Sequence, residues 1–562
     1  MQLANFPVIR KLAFLGFLVG IFTGGVIVLF RLLVETAQSS LLPDGNIENY
    51  EALDQLWIFL LPTMGGVVLG LLFHFLSPGY RAVGVVHVME RLRYFHGHLP
   101  MTNAVVQFFA AAISIVFGHS VGREGPAIHL GAACGSLLGL WQDLPNKAQR
   151  TLIASGMAAA IAASFNTPLA GVIFATEVIL LEYTIISLVP VLVAAISATV
   201  FSRIVFGNEV ILVPPQAIAH MQNAELLWVV VTGLVVGVVA MVFIRSIVWF
   251  SRISSALTIL TRFSLAGVVT GVVALFVPAI MSLGWDTVQS TLSNEMLMAT
   301  LLILLAAKLF ATCFALGLGI PAGLIGPSLF IGAVCGAIMG LIAQEMWPGS
   351  VSEPGVYALI GMGAMMSASL HAPVAAIIAI LELSYSPHII LPGLCAIIFS
   401  GLVVKTLFRQ PSIFLALLSE RGFHYENDAT IKQLRNKSAL SVANRDIKLI
   451  DQVFSRDSVA SIFANKPQWL VYERGDGYYQ LIAAVDVLRF LQHHQQLEIE
   501  LDAIPARSLS AVSIKESDNL QTAYEQIRAG FADACVILGD SGHSKIKGVL
   551  TAEDVMAFPI KA

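Results

Sequence analysis

Two stretches of this chain repeat one pattern, and the repeat limits the folds open to it. Gly122–Leu140 and Gly323–Leu341 align without a gap, with nine of 19 positions identical. The shared positions include a Gly-Pro pair near the start and a Gly-Ala-x-Cys-Gly run. A second echo follows in each half: Pro168 precedes Glu177 by nine residues, as Pro373 precedes Glu382. Shared composition does not account for matched prolines and matched acids in the same order. The chain therefore holds two homologous halves, roughly 12–206 and 226–407.

Those halves belong in a membrane. A soluble domain carries roughly 25% charged residues, whereas this chain of 562 residues carries 12% and is 57% hydrophobic. The charge is also uneven, since residues 421–562 hold 16 of the 32 Lys and Arg and 18 of the 36 Asp and Glu. A membrane body thus runs to about residue 420, a linker spans 421–443, and a soluble tail fills 444–562. Arg10 and Lys11 before the first apolar run point to a retained first helix and a cytoplasmic N-terminus. Several apolar segments are shorter than the roughly 20 residues a spanning helix needs. Segments broken by Gly and Pro are the mark of half-helices meeting inside the bilayer, with the binding site where the halves meet. Counting such irregular segments leaves inverted and parallel repeats both open. Five scattered cysteines read as small buried side chains, with neither a disulfide nor a metal spacing. A net charge of −4 gives no support for nucleic-acid binding.

The chemistry concentrates at Gly122-Arg123-Glu124-Gly125-Pro126. Ionisable side chains at membrane depth usually face a cavity or an ion path. Two glycines let backbone approach a ligand, and Pro126 suits the first turn of a helix. Such a helix aims free N–H groups and a positive dipole end back at the motif, where an anion, or the Glu124 carboxylate in its place, is stabilised. Gly118-His-Ser-Val-Gly122 has the spacing of a nucleophile elbow, but that turn needs a strand before it, and an apolar helix stands there. No nucleophile–base pair supports an enzyme, and His96 and His98 have no third ligand for a metal.

In these residues the chain resembles the CLC family of chloride channels and proton/chloride exchangers. Gly122–Pro126 matches the family's GREGP motif, and Gly319–Pro327 resembles its G-x-P-G-G-x-F-x-P motif. The resemblance implies an all-α membrane protein of two inverted halves with broken half-helices, multi-pass in a bacterial inner membrane. It implies a homodimer with one pathway per subunit and no required cofactor. It makes Glu124 the gating residue and aims the Leu324 and Ile325 amides at a bound chloride or similar monovalent anion. The remaining anion-site positions it assigns are Gly122, Arg123, Gly125, Val83, Gly84 and Phe414, although Arg123 also suits a buried cation bonded to helix C-terminal carbonyls.

The departures from the family are specific. Its G-S-G-I-P motif falls on Ala82–Val86, so Val83 replaces a serine donor, and its late tyrosine falls on Phe414. Its proton-relay glutamate falls on Val178, which carries no proton. Glu182 and Glu177 are the nearby acids for an alternative relay, and the echo of Glu177 at Glu382 speaks for a structural role. The expectation is passive, channel-like anion transport gated by protonation of Glu124. The alternatives are a proton-coupled chloride antiporter using another internal acid, and a non-conducting nucleotide sensor.

In the tail, Val512–Ile514, Ala534–Leu538 and Ile546–Leu550 read as strands, and Leu520–Ala529 and Ala552–Phe558 as helices. The pattern resembles a cytoplasmic α/β pair of CBS domains. Thr551 and Asp554 fit that family's nucleotide motif, while the first copy has Ala483 and Asp486 and lacks the glycine and threonine. The resemblance implies at most one adenine-nucleotide site per pair.

Overall fold

Prolines, glycines and small side chains decide where the helices stop and how closely they cross. The computed structural model describes residues 6–555 apart from 96, 181–184, 208–211, 214–220, 222, 424–433, 435–436, 475–478, 495, 507, 530–531 and 540–545. The candidate relay Glu182 and the end of the expected 552–558 helix lie outside the described residues. The chain divides into two units, Met1–His424 and Tyr425–Ala562.

In the first unit the first half contains α1 (Phe6–Leu41), α2 (Gln55–Phe75), α3 (Gly84–Tyr94), α4 (Met101–Val116), α5 (Glu124–Trp141), α6 (Asn146–Phe165), α7 (Pro168–Phe174) and α8 (Ile185–Phe206). The second half contains α9 (Glu225–Ser254), α10 (Ile259–Phe276), α11 (Trp285–Leu292), α12 (Met298–Gly317), α13 (Ile325–Met346), α14 (Pro354–Leu370), α15 (Pro373–Ser384) and α16 (Ile390–Leu402), with α17 (Ile413–Glu420) closing the unit. Among the described residues, eight helices are long and apolar enough to cross a membrane. Met101–Val116, Pro354–Leu370 and Pro373–Ser384 are apolar but short. These fall short of the roughly 20 residues a spanning helix needs, and broken backbone at membrane depth needs its polar groups paired within the protein.

The two halves pack by the same device. α5 crosses α6 where Gly131 and Gly156 meet, and α13 crosses α14 where Gly332 and Gly361 meet. A Cβ at any of the four would overlap the facing helix backbone. Small residues let membrane helices approach closely enough for dispersion contacts to hold them. α13, the helix of the second motif, has 89% of its apolar window buried, so it is enclosed by protein and not by lipid.

The matched acids tie the halves together. Glu177, in a π-type turn after α7, accepts the Val374 and Ala375 amides at 3.2 and 2.7 Å, in the first turn of α15. Glu382, in α15, accepts the Leu169 and Ala170 amides at 3.0 and 2.9 Å, in the first turn of α7. Each carboxylate caps the other half's helix, satisfying amides that have no partner within their own helix. Glu382→Gln leaves one neutral acceptor for two amides. It is expected to lower stability by about 1.5–3 kcal/mol, read as a drop in Tm of the detergent-solubilised protein.

The second unit is built on a six-stranded sheet in the order β1-β3-β4-β6-β7-β8, where β1 is Ile447–Leu449, β3 Trp469–Glu473, β4 Tyr479–Ala483, β6 Ser508–Lys515, β7 Ala534–Leu538 and β8 Ile546–Thr551. β2 (Val453–Ser455) and β5 (Glu498–Glu500) form a separate ribbon. The pairing β1∥β3 then β3 antiparallel to β4 recurs as β6∥β7 then β7 antiparallel to β8. Ahead of the first strand, Leu434 and Ala439 are buried with Leu520 and Ile537, and the Ala439 amide donates to the Asp518 carbonyl. The strand pattern itself starts at Ile447.

Candidate functional site

The two motifs meet head to head. Gly122 and Gly323 exchange both backbone hydrogen bonds, at 2.7 and 2.6 Å, in an antiparallel bridge. That approach needs glycine, since a Cβ on Gly125 would lie 2.8 Å from the Gly323 Cα. The bridge sets the N-termini of α5 and α13 side by side, with Leu324 and Ile325 at the start of α13. Both positive helix ends therefore converge on one point.

Glu124 fills that point. It is fully buried as the first residue of α5. Its Oε2 accepts the Gly326 amide at 3.0 Å, and its Oε1 has no partner among the described residues. A carboxylate thus occupies an amide in the first turn of α13. Arg123 and Lys308 are the cations whose charge reaches it.

Two cavities flank this point. One of about 240 Å³ reaches Gly125, Leu324, Val83, Gly84 and Phe414. The other, about 30 Å³, is almost wholly apolar and touches Glu124, Ile325 and Phe165. Glu124 borders the small cavity, and its neighbour Gly125 borders the large one. Val83 caps α3, and Gly84 takes a φ of +85° with open space where a Cβ would stand. Val83 and Phe414 bring no hydroxyl to the wall, whose polar groups are backbone amides and carbonyls and the guanidinium groups of three arginines.

Arg123 is placed differently from the anion-contact role. Its Nη2 donates to the Ser164 carbonyl at 3.0 Å, in the last turn of α6, and its side chain lines neither cavity. A cation at a helix C-terminus is stabilised there by the dipole, and this competes with anion contact. Val178 is 5% exposed beside the capping Glu177, and both Glu177 oxygens are taken by α15 amides.

Several charged or titratable residues that motif comparison does not single out stand around this point. Arg81, Arg262 and Arg421 line the larger cavity. Arg81 is held by the His74 and Leu76 carbonyls, and Arg262 by the Leu318 carbonyl. Three guanidinium groups in a cleft concentrate anions at its mouth. Lys308, fully buried in α12, donates to the Ile280 and Ser282 carbonyls at 2.9 and 3.1 Å. His129, one turn and a half into α5, has its Nδ1 3.3 Å from both the Gly84 amide and Gln107 Oε1. A lone intramembrane Lys or His is visible in sequence, but nothing there says which carbonyl or amide it meets.

Between α1 and α2, half-buried Glu48 accepts the Trp285 amide at 2.9 Å. Burial pushes its carboxyl up to about 7. The folded state therefore holds this proton more tightly than the unfolded chain, whose value is 4.5. The stabilisation is complete below that unfolded value and is lost as pH rises to about 7. Thermal unfolding of Glu48→Gln is expected to lack that loss between acid and neutral pH.

Residues 65–405 match the sequence profile of the family described as voltage gated chloride channel. The chain belongs to the voltage-gated chloride channel (CLC) family. A ClcB-like chloride channel protein of Ralstonia nicotianae is 31% identical over 370 residues, 64% of this chain and 85% of that one. The H(+)/Cl(−) exchange transporter ClcA of Vibrio cholerae is 31% identical over 53% of this chain and 66% of its own length. Among solved structures, a slow cyanobacterial Cl−/H+ antiporter matches with a TM-score of 0.64 at 24% identity, covering 73% of this chain and 98% of the other. A eukaryotic CLC transporter matches with a TM-score of 0.63 at 17% identity, and that match covers 97% of this chain and 98% of the other. The CLC fold therefore carries anion transport here, in an integral multi-pass membrane protein and not an enzyme.

Proposed function

We propose that this CLC protein exchanges chloride, or a similar monovalent anion, for protons, with Glu124 as the group that both blocks the anion and carries the proton. One observation supports this most: the Glu124 carboxylate holds the Gly326 amide at the meeting point of two helix N-termini. When Glu124 is ionised it competes with the anion, and when protonated or turned away it yields. The ClcA relatives bear the name of proton/chloride exchangers. The internal proton donor is a group other than residue 178, because Val178 has nothing to protonate.

A second reading is favoured by that same valine. With no relay acid at 178, and with Val83 and Phe414 bare of hydroxyls, Glu124 gates passive conduction that rises as external pH falls. Paired anion and proton fluxes in proteoliposomes separate the two. A chloride gradient drives protons uphill at a fixed ratio in the exchanger, and drives none in the channel.

The homodimeric assembly, the inner-membrane location and the cytoplasmic tail belong to the same proposal. The tail's doubled strand order supports a pair of CBS domains. There Thr551 and Asp554 satisfy each other at 2.8 and 3.1 Å at the start of a helix. An adenine nucleotide at this place displaces that mutual cap, so affinity is modest, and a thermal shift with ATP, ADP and AMP tests it.

A further inference from the structure

The buried face of α3 carries a line of protonatable groups that ends at the anion cavity. Glu90, whose side chain is 15% exposed, places Oε2 3.7 Å from His87 Nδ1 and 3.9 Å from Arg421 Nη1. His87 is 1% exposed, and neither of its ring nitrogens has a hydrogen-bond partner among the described residues. Its ring stands edge to face with that of His129, with centroids 5.5 Å apart. His129 is fully buried, and its Nε2 also lacks a partner among the described residues. Two buried imidazole nitrogens without a hydrogen-bond partner among the described residues, beside a third whose contact is a carboxylate 3.7 Å away, are costly unless they are used.

His129 Nδ1 faces a choice. Gly84 opens α3 beside the cavity, and its amide donates to Nδ1 at 3.3 Å. Gln107 Oε1 lies 3.3 Å from the same nitrogen, and its orientation is fixed because Nε2 donates to the Pro321 carbonyl. A bare Nδ1 accepts from Gly84 and withholds that amide from the cavity. A protonated Nδ1 donates to Gln107 and cannot accept, so the Gly84 amide is released to an anion and a positive charge arrives beside it.

We propose that His129 is a protonatable part of the anion site, supplied from Glu90 through His87, and that its protonation and anion occupancy favour each other. This rests on the proton-coupled reading above and names the internal donors that replace residue 178. In each hop the proton leaves one group and is gained by the next: from Glu90 Oε2 to His87 Nδ1, and from the His87 imidazolium to His129 Nδ1, the nitrogen that is bare while Gly84 donates to it. Glu90, the partly exposed member, is refilled from water. The charged and titratable groups near the line are Arg421 beyond α17, Arg91 on α3 itself, and Glu124 on the ring's own helix. α4 presents the neutral Gln107.

Two measurements test it. In proteoliposomes under a chloride gradient, Glu90→Gln and His87→Gln are expected to cut proton flux several-fold while anion flux persists, which also shows that the variants fold. Protons driven uphill by wild type at a ratio unchanged in both variants overturn the line but leave the exchanger reading intact. No uphill protons in wild type overturn the exchanger reading, and with it the supply route. The His129 element is then read alone by chloride calorimetry in the Glu124→Gln background, which removes the competing carboxylate. There chloride affinity is expected to rise several-fold as the pH falls from about 7.5 to about 3.5, since burial delays the charging of a histidine to well below its ordinary range. Adding His129→Gln is expected to erase that rise. Affinity that does not change with pH before His129 is replaced, or a rise that survives its replacement, overturns the role given to His129.

Discussion

Glu124→Gln is expected to leave anion flux running at every pH and to reduce proton flux by about 100-fold or more, the usual effect of losing a positioned proton carrier. The reason is electrostatic. The ionised Glu124 oxygen on the Gly326 amide is itself an anion at the convergence of two helix dipoles, so chloride binds only when it leaves or is neutralised. Glutamine is neutral at all pH values and carries no proton. Anion flux through wild type is expected to rise with acidity, and the variant's flux to stay level. A Glu124→Gln profile that still follows pH like wild type would rule out Glu124 as the gate. Gly326→Ala approaches the same end by crowding. Its Cβ would stand 2.9 Å from Glu124 Oε1, and that carboxylate, at the end of a flexible side chain, is expected to swing away and leave a partly open gate.

Gly323→Ala is expected to have the largest effect on folding. Its Cβ would lie 2.6 Å from the Gly125 nitrogen and 2.9 Å from the Gly122 carbonyl oxygen. These are backbone atoms at the start of two enclosed helices, so no rotamer relieves the contact. Overpacking of this kind costs about 1–3 kcal/mol and occasionally more, and here it also pulls apart the reciprocal Gly122–Gly323 hydrogen bonds. The expected results are a lower Tm in detergent and weak transport from the protein that folds. Wild-type Tm and flux together count against the bridge as the joint of the site.

Much of this was legible in the chain because the constraints are local. Gly122–Pro126 and Gly323–Pro327 announce helix starts, and Pro168 with Glu177 and Pro373 with Glu382 announce matched turns. Duplication told that these pairs belong together. What the letters do not carry is the partner across the molecule. Glu177 and Glu382 read as an echo, whereas in space each caps the other's helix. Arg123 beside Glu124 invites an anion role, but the Ser164 carbonyl claims it. His129 reads as an ordinary buried histidine until Gly84 and Gln107, 45 and 22 residues away, are found on the same nitrogen. Contacts of that separation follow from helix crossings, and crossings follow from which glycines face each other.

The paired Gly122–Gly323 bridge has a mechanical consequence. Because each half's helix end is stitched to the other's by two backbone hydrogen bonds, neither repeat can tilt away without tearing the place where the ion rests. In the proposed transport cycle, passage through the middle is then worked by a swinging acid and small rotations of side chains within a stationary frame. Turnover in such a frame is set by how quickly a few atoms exchange places.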